Sequence, residues 1–164
     1  MRGEVADAVA RFLLSLDDHQ WSRVEAALDE TVSRDYTSLF GGEPDAIAGS
    51  ALAAEWRGLL TGLDSHQHLT GPAVVDLDGD EASADVHVVG THVLEGHPGS
   101  PWVVGGTYRF ALRRRDERWR IAAIKLDTRW QTGDAAILKR SASAEQVAAT
   151  PVAEPRRSTR AGVR

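Results

Sequence analysis

Cysteine is absent from this chain of 164 residues, which removes disulfides, thiolate nucleophiles and thiolate metal sites together. Any chemistry must rest on oxygen and imidazole groups. The chain also lacks a run approaching the roughly 18 to 20 apolar residues of a membrane span. Its first residues, MRGEVADAVARF, place Glu4 and Asp7 where a secretory signal would be apolar. A cytoplasmic location without a membrane partner is therefore expected. No HExxH, G-x-S-x-G or Walker pattern occurs, and Gly105-Gly106 lies inside a β-rich run rather than before a helix, so it is not a phosphate loop.

What is present is the balance of an ordinary globular domain, with 42% apolar and 26% charged residues. The length suits one hydrophobic core. The net charge of -5 is uneven: residues 139–164 hold six Lys or Arg against two Asp or Glu, leaving an acidic body before them. An acidic body is a poor nucleic-acid surface, because phosphate contacts need clustered cations, so no nucleic-acid partner is expected. The expected organisation is one domain over 1–138 and a flexible Ala/Ser/Pro/Arg-rich tail over 139–164.

Periodicity divides the domain in two. Val5, Val9, Phe12, Leu13 and Leu16 follow the spacing of one helix face. Trp21, Val24 and Leu28 repeat it after Asp17 and Asp18, either of which could cap the second helix. Residues 32–40 suit a brief strand and turn. A third helix carries Leu52, Trp56, Leu59, Leu60 and Leu63, with Gly49 at its start. From Ser65 the period becomes two, giving strands over 65–77, 82–94, 102–114 and 118–128, the first interrupted at Gly71-Pro72. About three helices on a curved, mostly antiparallel sheet make an α+β fold.

Strand alternation says which side chains face inward. His92 shares a face with Ala84, Val86 and Val88, and Tyr108 shares one with Trp102, Val104 and Phe110, whereas His87, Thr107 and Arg109 lie on outward parity. His68 is assigned inward, and Asp17, four residues after Leu13, falls near the buried face at the end of helix one. Plainer roles stay open for each: a hydrogen-bonded core histidine, a helix-terminal carboxylate, packing tyrosines. His66-x-His68 with His92 could offer three imidazoles to zinc, but no acidic cluster or cysteine accompanies them in sequence, so neither a metal nor another cofactor is expected.

The segments LDDHQW at 16–21, RDYTS at 34–38, QHLTG at 67–71, GTH at 90–92 and DERWRIAAIKLDTRW at 116–130 stand in an order and spacing that resembles scytalone dehydratase and the SnoaL-like proteins of the nuclear transport factor 2-like superfamily. The resemblance implies a cone in which helices close a curved sheet around an apolar pocket. It implies that Asp17 pairs with His92, that His68 is the second active-site histidine, and that Tyr36 helps to hold a substrate carbonyl through water. Where the dehydratase has a tyrosine before the paired aspartate, this chain has Leu16, and Gly106 and Tyr108 replace polar groups of the last-but-one strand. The implied activity is a cofactor-free dehydratase (a lyase) on a cyclic, polyketide-like or other small hydroxy-carbonyl compound. In that scheme His92 is the acid, His68 the base, Tyr36 and Tyr108 polarise the carbonyl, and Trp56 and Trp102 form apolar walls. A polyketide cyclase or isomerase and a ligand-binding module are the alternatives. Similar proteins associate through the open sheet face, so a homodimer or trimer is expected, using outward Val89, Val93, Val103 and Ala111.

Overall fold

A computed structural model describes residues 1–139. The predicted first helix forms as α1, Arg2–Asp17, and buries the five apolar residues of its periodic face. It ends where the Asp18 amide bonds the Leu14 carbonyl and His19 takes a left-handed backbone, φ 55°. Helix α2, Trp21–Ala27, follows at once, with Gln20 at its N-cap and no side-chain cap. Neither Asp17 nor Asp18 caps it, contrary to expectation, because Asp17 is drawn to an imidazole partner described below.

Leu28, expected to continue α2, instead opens strand β1, Leu28–Asp35, which reaches further back than the strand predicted over 32–40. After it come the single turn α3, Thr37–Phe40, the short strand β2, Asp45–Ala48, and helix α4, Gly49–Leu60. Gly49 opens α4 where a Cβ would collide with the Asp29 carbonyl, so the entry to the helix requires glycine. The predicted strand over 65–77 breaks as anticipated at Gly71-Pro72, giving β3, Ser65–Thr70, and β4, Val74–Asp78. Three long strands complete the sheet: β5, Glu81–Val93; β6, Trp102–Arg115; and β7, Arg118–Thr132.

Among the described residues the sheet has seven strands in the order β2-β1-β7-β6-β5-β3, with β4 also on β5, and of their pairings only that of β1 with β7 is parallel. Even-numbered residues of β5 face inward as the alternation requires. On β6 the alternation fails at Gly105-Gly106, where the register against β7 shifts, and Thr107 is buried beside this irregularity despite its outward parity. The core lies between α1, α4 and the concave face, with Leu52, Leu112, Ile121 and Ile124 essentially sealed from solvent. Each such side chain contributes roughly 1.5–3 kcal/mol. Ile137 and Leu138, in a final helical turn over 136–139, are also buried. The tail expected beyond residue 138 lies outside the described residues, apart from Lys139.

Candidate active site

The helices do not fill the concave face completely, and a cavity of about 380 Å³ remains between α1, α4 and the sheet. Its wall is mostly apolar, including Leu16, Trp56 and Trp102, with His68, His92, Tyr36 and Tyr108 among the polar groups that reach it. Of the residues singled out from sequence for the reaction, all line this space except Asp17, which sits behind His68; His66, weighed from sequence as a zinc ligand, does not line it.

The pairing of Asp17 differs from the expected one. Strand β3 passes the end of α1, and Asp17 accepts two hydrogen bonds from one residue: the His68 amide at 2.7 Å to Oδ2, and His68 Nδ1 at 2.7 Å to Oδ1. His92 takes no part; its Nδ1 lies 3.4 Å from the Trp102 carbonyl, and its ring packs on the Trp102 indole with centroids 4.7 Å apart. The correction has a simple cause. His92 is on β5, one strand further from the end of α1 than β3, so the edge strand meets the carboxylate first. Burial alone would raise the Asp17 carboxyl, but the His66 and His68 imidazoles and the His68 amide more than offset it and hold it well below the usual carboxylate range.

A bidentate contact of this kind fixes a tautomer. With Asp17 ionised, the neutral form of His68 carries its hydrogen on Nδ1 and its lone pair on Nε2. His92 is a different kind of imidazole. Burial, then the neighbouring His68, lowers it to about 4, so it is neutral near pH 7 and cannot serve as the protonated acid expected of it. Gly90 lies between these rings: a Cβ there would come within 3.3 Å of His92 Cε1 and 3.6 Å of His68 Nε2. The missing side chain keeps the floor of the cavity open.

Tyr36 and Tyr108 meet edge to face with centroids 6.4 Å apart, the Tyr108 ring lies 6.4 Å from that of His68, and burial pushes both phenols up, so both stay protonated at neutral pH. Trp56 packs against Phe12, at 5.7 Å, and Trp102 is held by its Nε1 donating to Gln131 at 3.1 Å. Sequence reasoning missed the charged rim, where Arg34 spans Asp45, at 2.6 and 2.9 Å, and Glu55. These three come from β1, β2 and α4, so only the fold brings them together.

It also undervalued His66, which shares inward parity with His68 and lies with Nδ1 3.3 Å from Asp17 Oδ1. Asp17, His66 and His68 present three ligand atoms within 4.8 Å of one another, the donor set of a two-histidine, one-carboxylate metal site. The 2.7 Å between Asp17 and His68 is nevertheless a charge-assisted hydrogen-bond distance. Ligands about 2.0–2.1 Å from a tetrahedral ion would stand roughly 3.3 Å apart.

A helix-closed, curved antiparallel sheet around an apolar cavity with imidazoles on its floor is the cone of the nuclear transport factor 2-like superfamily. The SnoaL-like domain model matches residues 1–125, and the chain belongs to that family. Among solved structures, it is similar to the Kfla4162 protein of Kribbella flavida, at 24% identity over 85% of this chain and 96% of the other, TM-score 0.76. A scytalone dehydratase candidate from Novosphingobium aromaticivorans is similar at 17% identity over 80% and 85%, TM-score 0.69. The hexachlorocyclohexane dehydrochlorinase LinA-type3 of Novosphingobium barchaimii is similar at 14% identity over 82% and 90%, TM-score 0.66. No functionally curated protein matches the chain in sequence.

Proposed function

We propose that the cavity carries out a cofactor-free elimination, the loss of water from a cyclic, polyketide-like or other small hydroxy-carbonyl compound, with His68 as base and Asp17 as the carboxylate that orients it. The observation that carries this reading is the Asp17–His68 pair: a tautomerically fixed imidazole at the wall of a mostly apolar cavity. Two of the similar folds also bear names of elimination enzymes, a dehydratase and a dehydrochlorinase.

In the proposed reaction His68 Nε2 takes the proton next to the carbonyl, and the electron pair moves onto the carbonyl oxygen. Tyr36 and Tyr108, donating directly or through water, stabilise that enolate. The enolate then re-forms the carbonyl, the new carbon–carbon double bond forms, and the bond to the β-hydroxyl breaks. The proton on His68 Nε2 leaves with the hydroxyl as water, which restores the neutral imidazole. His68 thus serves in turn as base and acid, and neutral His92 accepts a hydrogen bond from the substrate hydroxyl rather than protonating it. Trp56 and Trp102 fit a flat ring between apolar walls. The protein works in the cytoplasm, as a dimer or trimer joined through the outer face of the sheet.

Incubation with a panel of cyclic β-hydroxyketones, followed by mass spectrometry, tests the reaction. Loss of one water is expected, and His68→Ala should reduce the rate roughly 10²–10⁴-fold in a protein whose circular dichroism shows the parent fold. Rearrangement without a change of mass would favour the cyclase or isomerase reading. Binding without conversion would favour a ligand-binding module.

A further inference from the structure

Behind the Asp17–His68 pair stand two histidines to which the elimination assigns no task. His66 Nε2 and His19 Nε2 are 2.8 Å apart. The ring planes differ by only 20° and the centroids are 5.0 Å apart, the geometry of two imidazoles joined edge to edge by one hydrogen bond. On its other side His66 turns Nδ1 toward Asp17 Oδ1 at 3.3 Å, from a side chain only 2% exposed. His19 is partly exposed, lies with its ring near-parallel to Trp21 at 5.3 Å, and holds the left-handed backbone between α1 and α2. A non-glycine residue in that conformation is uncommon and points to a local requirement.

We propose that His19 and His66 are positioning residues for the Asp17–His68 pair: His19 donates Nε2–H to His66, which fixes the His66 tautomer with Nδ1–H facing Asp17. This rests on the base assigned to His68 above. Two ring nitrogens at hydrogen-bond distance share a single hydrogen, so one is the donor and the other the acceptor. Electrostatics selects which. A lone pair on His66 Nδ1 would face an ionised carboxylate across 3.3 Å in a buried site, where the repulsion is little screened, whereas an N–H there is attracted. His66 in its neutral form therefore holds its hydrogen on Nδ1, and its Nε2 must accept from His19.

Asp17 then accepts hydrogen bonds from the His68 amide and His68 Nδ1, while the buried His66 Nδ1–H, which makes no hydrogen bond of good geometry, faces it across 3.3 Å as an electrostatic contact. A carboxylate so occupied has little tendency to take the hydrogen from His68 Nδ1, and the lone pair stays on Nε2 of a ring that lines the cavity. The other titratable rings near His66 are His68, at 6.2 Å, and the cross-strand partner His92, at 6.3 Å.

The test uses ring-nitrogen NMR of the full-length protein with ¹⁵N-labelled histidine, which needs no substrate. The parent should show His66 and His68 both as the Nδ1–H tautomer. His19→Ala should turn part of the His66 population to Nε2–H, and His19→Gln, whose side-chain amide can still donate, should restore it. If turnover is found, kcat in His19→Ala should fall about tenfold with KM nearly unchanged and recover in His19→Gln, a fraction of what the base itself contributes. An Nε2–H tautomer of His66 in the parent, or an unaltered His66 spectrum in a folded His19→Ala protein, overturns the proposal. Parent protein with the expected spectrum but no elimination overturns the assigned reaction instead.

Discussion

At the scale of single residues, His92 shows how burial redirects a group whose position the sequence located well. Parity placed it inside, and it is inside, but the desolvation that accompanies that position removes the protonated form on which an acid role depends. The shift has a consequence for stability. His92 takes up a proton at about 4 in the fold and near 6.5 when unfolded, so between these values the unfolded chain binds more protons. Its contribution is complete above pH 6.5 and is lost progressively as pH falls through the window to 4, amounting to at most about 3 kcal/mol. Urea unfolding at pH 7 and pH 4.5 should show this loss in the parent, and a smaller one in His92→Gln. An equal pH dependence in both would remove His92 as its source. Asp17, depressed by its partners, acts in the same direction at lower pH, retaining its contribution above the ordinary carboxylate range and losing it only below.

At the scale of elements, most of the fold was legible because alternation is robust over long strands. The first helix and β5 follow their apolar periods closely, and β6 departs from its period only near the Gly105-Gly106 irregularity. The remainder was hidden for identifiable reasons. Strand β2 has four residues, too few for a period, and Leu28 fits the helical spacing of Trp21 and Val24 yet is the first residue of a strand that the parallel pairing with β7 stabilises. The partner of Asp17 lies 51 residues away, a distance over which only strand order decides whether β3 or β5 is nearer. Placement of the β5 backbone is also what makes Gly90 part of the site. Gly90→Val should fill the space between His68 and His92, weakening binding of any cyclic ligand by tenfold or more in calorimetry while leaving the circular dichroism of the sheet unchanged. Unaltered affinity would place the ligand elsewhere in the cavity.

At the scale of the whole molecule, the outer face of the sheet bears an apolar row that crosses four strands. Leu69 pairs with Val89, Val89 with Gly105, and Gly105 with Trp130. Leu69 is 68% exposed and Trp130 50%, and the Trp130 indole lies directly over Gly105, where a Cβ would collide with it. An exposed row of this kind suits self-association. Light scattering coupled to size exclusion should give the mass of a dimer or trimer for the parent, and of a monomer for Leu69→Lys combined with Trp130→Ser. A monomeric parent would sink the oligomer.

One contact described above also bears on aggregation. Strand β3 closes one end of the strand order, and an edge strand exposes backbone N–H groups that invite pairing with another chain. The Asp17 carboxylate accepts the His68 amide on that edge. The group that orients the base is thus also a guard on the open rim of the sheet, and a chain that loses it gives up part of its defence against edge-to-edge assembly together with its chemistry.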